Sequence, residues 1–563
     1  MTMRGSYGFL FFCVLWALGA VGLNRGQLRM QISERTRQIF ERMDATAETG
    51  GAGGSSSLRG LEAIDANWER LRNGGWKAEP STIVYENLET TLPTIGRELY
   101  DVAISGGTLG IFYAQALQAQ GKKVVVVERG KVQGRAQEWN ISRKELSALL
   151  RAGVVTAEEL ESCVSIEFNP VRVGFKTDTS YTGDDPKLRG FELYTRDVLN
   201  LGLAPDLLIA LVRAKFIAGG GAVLEEAALT RIDVHANCAA LSLASGQSVL
   251  ARLVLDCMGN ASPIGKQIRG PVQPDGVCIV VGSCARGFSA ENNTYSDLIY
   301  TDTPVTHMAS SDLQFFWEAF PTGSGLQDRT TYLFAYMDAS PERPSVAALF
   351  DEYWKLLPRY QGVGVDELQV QRILYGVFPT YRASPLRTTL SRVLQVGDAS
   401  GVQSPLSFGG FGSLTRHLER IVSAACEALD DPDPRAALLQ ADCLALINAY
   451  QPNLSACWMF QRSMSVPVSR TRKAPPDQVV GTLQNSFSAM EALGEVCALL
   501  SPPSSSSSSS LFFPSSFLST CVRTCKVMAP CVCKCPTSLH IHSSMFNTPH
   551  PPSSRPPPLP SPS

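Results

Sequence analysis

The run LYDVAISGGTLGIFYAQALQAQGKKVVVVE, from Leu99 to Glu128, decides how the chain folds. Leu99–Ile104 is a short apolar run that breaks at Ser105-Gly106-Gly107-Thr108-Leu109-Gly110. Ile111–Gln120 then reads as a helix, Gly121-Lys122-Lys123 as a turn, and Val124–Val127 as a buried parallel strand closing on Glu128. Strand, glycine turn, helix, strand and acid form one βαβ unit, the context that makes a loose glycine pattern a dinucleotide fingerprint. Each part has a physical task. Gly107 lets the backbone approach a pyrophosphate, and Gly110 lets the helix lie close on its strand. The helix start near Thr108 and Leu109 turns unpaired N–H groups and a positive dipole end toward phosphate. Glu128, with Arg129 after it, can accept hydrogen bonds from both hydroxyls of an adenosine ribose and would repel a ribose 2′-phosphate. The first glycine of the usual pattern is replaced by Ser105, which fits if its backbone torsions are ordinary.

NAD and FAD both use such a unit, so the choice between them comes from elsewhere. Downstream, Val393-Leu394-Gln395-Val396 runs into Gly397-Asp398, and Gln403-Ser404-Pro405-Leu406-Ser407-Phe408-Gly409-Gly410 leads to a helix through Leu414–Leu429. Between the two blocks, Gly221–Glu225 and a β-meander over Ala228–Val249 lead to Ala251–Asp256 and the turn Cys257-Met258-Gly259-Asn260-Ala261-Ser262. These blocks, in this order within residues 98–500, resemble the FAD-dependent oxidoreductases of the glutathione-reductase-like flavin fold. The resemblance implies FAD as cofactor, with Asp398 on the ribityl chain and Gly259 as the glycine of the returning turn. It places backbone N–H groups near Gly409 and Gly410, next to Pro405, at the flavin N1–C2=O edge. Ser105, Gly106, Gly107, Thr108, Leu109, Gly110, Glu128, Arg129 and Gly397 complete the implied cofactor contacts. Many hydroxylases carry Ala-Asp-Gly where this chain has Cys257-Met258-Gly259; the Asp-x-x-Gly arrangement is closer to the lycopene cyclase and geranylgeranyl reductase-like branches. GDASGVQSPLSFGGFGSLTRH and YQPNLSACWMFQRSMS look like a photosynthetic-lineage group of such proteins.

The expected architecture is α/β: a Rossmann-like FAD-binding domain over 98–276 and 393–430, an inserted antiparallel β-sheet substrate domain over 277–392, and a C-terminal helical extension over 431–500. The insert shows four strand-like runs, Cys278–Gly282, Phe315–Pro321, Thr330–Tyr336 and Arg372–Tyr381. Their aromatic content suits a lipophilic small molecule of isoprenoid or pigment type. Tyr375, Phe378, Tyr381 and His417 are the pocket candidates. Glu318 is either solvated or turned inward as a base, and no catalytic acid or base stands out. No P-loop, G-x-S-x-G or metal-spaced histidine pair is present, which leaves kinase and hydrolase readings without support. A single nucleotide unit implies that reducing equivalents come from NAD(P)H docking transiently, from a small electron carrier, or not at all. The alternatives to a flavin oxidoreductase are a non-redox flavin-dependent cyclase and a non-catalytic assembly or sensing factor.

Lys plus Arg number 50 against 52 for Asp plus Glu, a balance that speaks against a nucleic-acid partner. Hydrophobic content of 44% supports large packed cores. The ends read differently. The apolar run Gly8–Leu23 (segment 1–23) resembles a targeting signal or a short anchor, and the basic amphipathic stretch after it places 24–97 as targeting and linker sequence. A signal followed by a basic segment suits a plastid, with the secretory route or membrane anchoring as alternatives. Trp458, Met459 and Phe460 could pack on the body or touch a membrane surface. Residues 501–563, with the serine run Ser504–Ser510 and Cys521, Cys525, Cys531, Cys533 and Cys535, read as a disordered tail without a metal site. Sequons lie at Asn140, Asn260, Asn292 and Asn453; a glycan at Asn260 would obstruct a nucleotide contact.

Overall fold

The structure, a computed structural model, describes residues 32–44, 57–176, 190–431, 437–448, 451–468 and 475–500. The signal-like run 1–23 and the tail 501–563 lie outside them.

Two sheets organise the molecule. The first has eight strands, and at its parallel centre Leu99–Ser105 lies between Val124–Val127 and Ser248–Asp256. Ala222–Leu224 extends it beyond Val124–Val127. A parallel sheet is covered on both faces, which is why VVVV is apolar at every position rather than at alternate ones; all four valines are buried. On one face the helices Gly107–Ala119, Pro205–Ala218 and Gly410–Leu429 enclose Val102, Ile104, Val124, Val126, Leu253 and Leu255. On the other, Leu229–His235 and Ala239–Leu243 fold back so that Ile232, Val234 and Leu241 meet Ala103, Val125 and Val254. Ser248–Asp256 is long enough to serve twice. Its first half pairs antiparallel with Ala239–Leu243, and its second half pairs parallel with Val393–Gln395.

The second sheet has seven strands in the order Gln369–Thr380, Gly276–Arg286, Asp328–Met337, Phe316–Pro321, Ser296–Thr301, Val171–Phe175 and Phe191–Thr195. The four strand-like runs of the insert are all in it. Two features differ from the expectation. The sheet is mixed, because Ser296–Thr301 runs parallel to Val171–Phe175. Its last two strands come from within 98–276, so the substrate sheet is not confined to 277–392. VRVGF is too short to declare itself, and its attachment is made by a distant partner: Arg172 grips Asp297 with Nε and Nη2 at 2.6 and 2.9 Å. A bidentate pair of this kind fixes register as well as adding energy.

The segment 24–97, expected as targeting and linker, contributes to both sheets, and this is the main correction. Glu34–Asp44 and Leu58–Arg72 are helices, and Val84–Asn87 pairs parallel with Leu229–His235. Ile39, Phe40, Met43, Leu61 and Trp68 are buried in the core of the second sheet. The Phe40 ring meets Phe350 edge-on at 5.3 Å, and Trp68 Nε1 donates to Pro344 O at 2.9 Å. Asp65 Oδ1 accepts from Val346 N at 2.7 Å, satisfying an otherwise open donor at the start of helix Val346–Gln361. A helix with one apolar stripe and a charged outer face has the same pattern whether it targets an organelle or covers a sheet.

The 431–500 extension is helical in pieces, Ala441–Ile447, Pro452–Ser463 and Gln478–Leu500. Phe460 meets Phe487 at 6.1 Å while Met459 is exposed. Among the described residues no helix is long and apolar enough to cross a membrane.

Candidate functional site

The carboxyl ends of four parallel strands come together at one edge of the first sheet. Ser105 is in register with Val127 on one side and Asp256 on the other, and Asp256 with Gln395. The chain leaves each strand in a ladder: Gly106 N donates to Val127 O, Cys257 N to Ser105 O and Val396 N to Asp256 O, at 2.9, 2.8 and 3.0 Å. In open α/β sheets ligands bind at this edge.

Ser105 ends its strand in extended backbone, so a side chain is tolerated there. Gly106 is the residue that must be glycine: its φ is +98°, and a Cβ would stand 2.6 Å from Cys257 O. Gly107 begins the helix, and a Cβ on it would meet Val132 Cγ2 at 2.5 Å. Its smallness therefore serves the packing of the loop after Val127, not only an approach to phosphate. Gly110 holds the helix on its strand, since a Cβ would be 2.6 Å from Ile104 Cγ2. Glu128 accepts from Gly107 N at 2.7 Å and Gly130 N at 2.9 Å, clasping the turn. Thr108 is half-buried, Leu109 packs against the core, and Arg129 is exposed.

At the next strand end, buried Asp256 shapes the turn. Its Oδ1 accepts from Met258 N at 3.0 Å and its Oδ2 from Ser262 Oγ at 2.5 Å. Burial pushes its carboxyl up to about 6. Ser262 also caps helix Pro263–Arg269, and Gly259 sits at φ +68° with open space where a Cβ would be. Sequence reasoning missed this pair, although Ser-Pro before an apolar run is a helix-start signal.

Asp398 follows Gly397, itself at φ +57°. Its carboxyl faces the first turn of helix Gly410–Leu429: a Cβ on Gly410 would lie 3.0 Å from Oδ1. That Oδ1 is buried without a hydrogen-bond partner, and burial pushes the carboxyl up to about 6. Asp398, Gly259 and Pro405 line a cavity of about 840 Å³, whose lining also includes Trp76 and Trp458. Tyr381 also lines it, under the Arg269 guanidinium, which lies 3.6 Å from its ring centre. Asn260 lines it too, with Gln403 Nε2 donating to its Oδ1 at 3.3 Å. Gly409 caps the helix that Gly410 begins.

The other pocket candidates separate. Tyr375 and Phe378 are odd and even positions of one strand and so face opposite sides. Tyr375 packs with Phe40 and Phe350, and its hydroxyl donates to Ser57 O at 3.2 Å. Phe378 stacks on Phe408 at 5.1 Å, on the side of the glycine turn. His417 corrects the expectation: it does not line the cavity, and burial, with Arg420 and Arg416 beside it, pushes its ring down to about 3. It is therefore neutral near neutrality and a poor proton acceptor there. Glu318 is turned inward. It stands opposite Tyr332 on the face that carries Phe316, Phe334 and Tyr336, and desolvation pushes its carboxyl up to about 8. Tyr336 ties this face to the glycine turn by donating its hydroxyl proton to Leu406 O.

No protein-family model matches the sequence, and no curated protein matches it. Solved structures do. A geranylgeranyl bacteriochlorophyll reductase-like protein from Thermoplasma acidophilum aligns over 72% of this chain and 100% of its own, with TM-score 0.51 and 14% identity. The halogenase PltM aligns over 71% of this chain and 82% of its own, with TM-score 0.50 and 13% identity. The same halogenase in complex with phloroglucinol and FAD gives the same coverage, TM-score and identity. At these identities the likeness shows the fold: a Rossmann-like α/β sheet carrying a second sheet.

Proposed function

We propose that the chain holds FAD across the carboxyl ends of the first sheet and acts as a flavin-dependent oxidoreductase on a lipophilic small molecule. The observation that carries this reading is Asp398, a half-buried residue on the wall of a cavity of about 840 Å³, with its buried Oδ1 lacking a hydrogen-bond partner. Such an oxygen is satisfied by a ligand hydroxyl. The fold is that of a halogenase solved with FAD. The Gly106–Thr108 turn and Glu128 would hold the adenosine end, with Glu128 exchanging its bonds to Gly107 and Gly130 for ribose hydroxyls. Asp398 would hold the ribityl chain, and Pro405, Gly409 and Gly410 the ring. When bound, FAD supplies hydride or electron transfer. The protein supplies the rest: the N-terminal end of helix Gly410–Leu429 favours negative charge at the ring edge, Phe378 and Phe408 close one side to water, and Glu318 holds a proton on the sheet face. In this reading the substrate is isoprenoid or pigment-like, the donor is NAD(P)H or a small carrier, and the protein works in a plastid at or near a membrane surface.

One observation favours a second reading. Glu318 is a carboxylic acid still protonated at neutral pH among aromatic side chains, which suits proton delivery in a non-redox cyclisation. Turnover that needs reduced flavin but consumes none would select it.

The full-length protein mixed with FAD is expected to retain the visible flavin absorption after gel filtration; a colourless protein overturns the proposal. In the Asp398→Ala variant the Kd for FAD is expected to rise about 10- to 150-fold, corresponding to roughly 1.5–3 kcal/mol for a charge-assisted hydrogen bond. An unchanged Kd would contradict the ribityl role.

A further inference from the structure

Arg135 and Arg372 are half-buried arginines that lack the protein partners other arginines of this chain have. Arg172 and Arg343 are paired with Asp297 and Asp338, and Arg392 donates to three main-chain carbonyls. Arg135 makes one hydrogen bond, to Gln137 O at 3.2 Å. Arg372 makes two, to Gln137 Oε1 at 3.2 Å and Cys284 Sγ at 3.3 Å. Each guanidinium carries five N–H donors, and among the described residues neither forms an ion pair with a carboxylate. Glu138, next in sequence to Gln137, forms no ion pair with either; its Oε1 accepts from Ser165 Oγ at 2.6 Å and Gly323 N at 2.9 Å.

The two arginines come from distant parts of the chain, one from the loop after Val127 and one from strand Gln369–Thr380, and Gln137 stands between them. Tyr332 feels both guanidiniums together with Glu318. Its ring lies over Gly282, where a Cβ would be 3.0 Å from Tyr332 Cδ1. Burial works against the charge on Arg135, Tyr332 partly opposes it, and the repulsion of Arg372 adds a smaller penalty. Glu318, its carboxyl pushed up to about 8 by desolvation, forms an ion pair with neither. Two like charges held on one glutamine, one of them desolvated, are unfavourable unless an anion joins them.

We propose that Arg135, Arg372 and Tyr332 form a subsite for the carboxylate of the substrate, whose apolar body lies along the aromatic sheet face toward Phe378 and Phe408. The substrate class is thus an amphiphilic acid rather than a neutral hydrocarbon. Two planar forks meeting one carboxylate give orientation as well as affinity, and so fix which part of the molecule reaches the glycine turn. This inference rests on the flavin reading only in identifying the bound acid as substrate.

The test uses the full-length protein with FAD and a matched pair of probes, 2-naphthoate and its neutral amide 2-naphthamide, in equilibrium dialysis. The wild type is expected to bind the acid at least about tenfold more tightly than the amide. Arg372→Gln and Arg135→Gln should each remove that preference, Arg372→Lys should keep part of it, and Lys355→Gln on the surface should leave it intact. Equal binding of acid and amide by the wild type overturns the proposal without any variant. So does a preference that survives Arg372→Gln. If Arg135→Gln instead weakens FAD binding and leaves the preference unchanged, the anion is a cofactor phosphate and the carboxylate subsite is wrong. Flavin absorbance of the same samples reports separately on the flavin reading.

Discussion

Replacing Trp68 by alanine is expected to cost about 3–5 kcal/mol of folding stability, the range for emptying a fully buried tryptophan site. Trp68 has no exposed surface and sits under helix Val346–Gln361 with Leu61 and the Phe40 ring in the same core. The substitution also removes the Nε1–H bond to Pro344 O, leaving that carbonyl to find another donor. Denaturant unfolding of the full-length protein measures the effect. A loss below about 1 kcal/mol would mean that Leu58–Arg72 is not part of the cooperative unit.

Glu318→Gln is expected to act in a pH-dependent way. In the folded chain the carboxyl titrates at about 8, above its ordinary 4.5, through desolvation. Below the unfolded value both states hold the proton and the group imposes no penalty. As pH rises toward the folded value the unfolded state ionises while the folded state cannot, so the wild type loses stability across roughly pH 4.5–8. Glutamine has no such term. The variant should therefore match the wild type near pH 4 and exceed it at pH 9 by on the order of 2–5 kcal/mol, from a shift of a few pKa units. Thermal melts of both proteins from pH 4 to pH 9 decide it, and a stability difference that does not change with pH rejects the inward assignment.

How much of this was legible in the sequence depends on whether the information is local. Val124–Val127 and the Ser105–Gly110 turn were readable because a parallel strand buried on both faces and a glycine turn each leave a contiguous mark. Gly397-Asp398 was readable by order along the chain. The folded part of 24–97 was not, since Phe40, Leu61 and Trp68 form an ordinary apolar stripe and their partners lie around Phe350. Arg172 gave no hint of joining a sheet, because its carboxylate partner is Asp297. The opposite orientations of Tyr375 and Phe378 follow from strand alternation alone and could have been stated from their spacing. His417 was misplaced because helix phase near a glycine turn depends on where the helix begins, and it begins at Gly410. Arg135 and Arg372 acquire meaning only when the fold sets them either side of Gln137.

The N-terminal helices have a consequence for how the protein is made. Trp68 and Pro344 are 276 residues apart in sequence, and Ser57 and Tyr375 are 318. A ribosome adding roughly 5–20 residues per second delivers the first helices tens of seconds before their partners emerge. Throughout that interval Phe40, Leu61 and Trp68 face water, on a chain whose cofactor site is also unfinished until Gly410 has been synthesised. The last-made third of the body therefore completes both the first helices and the ligand cavity, so newborn chains carry exposed apolar helices until that third emerges.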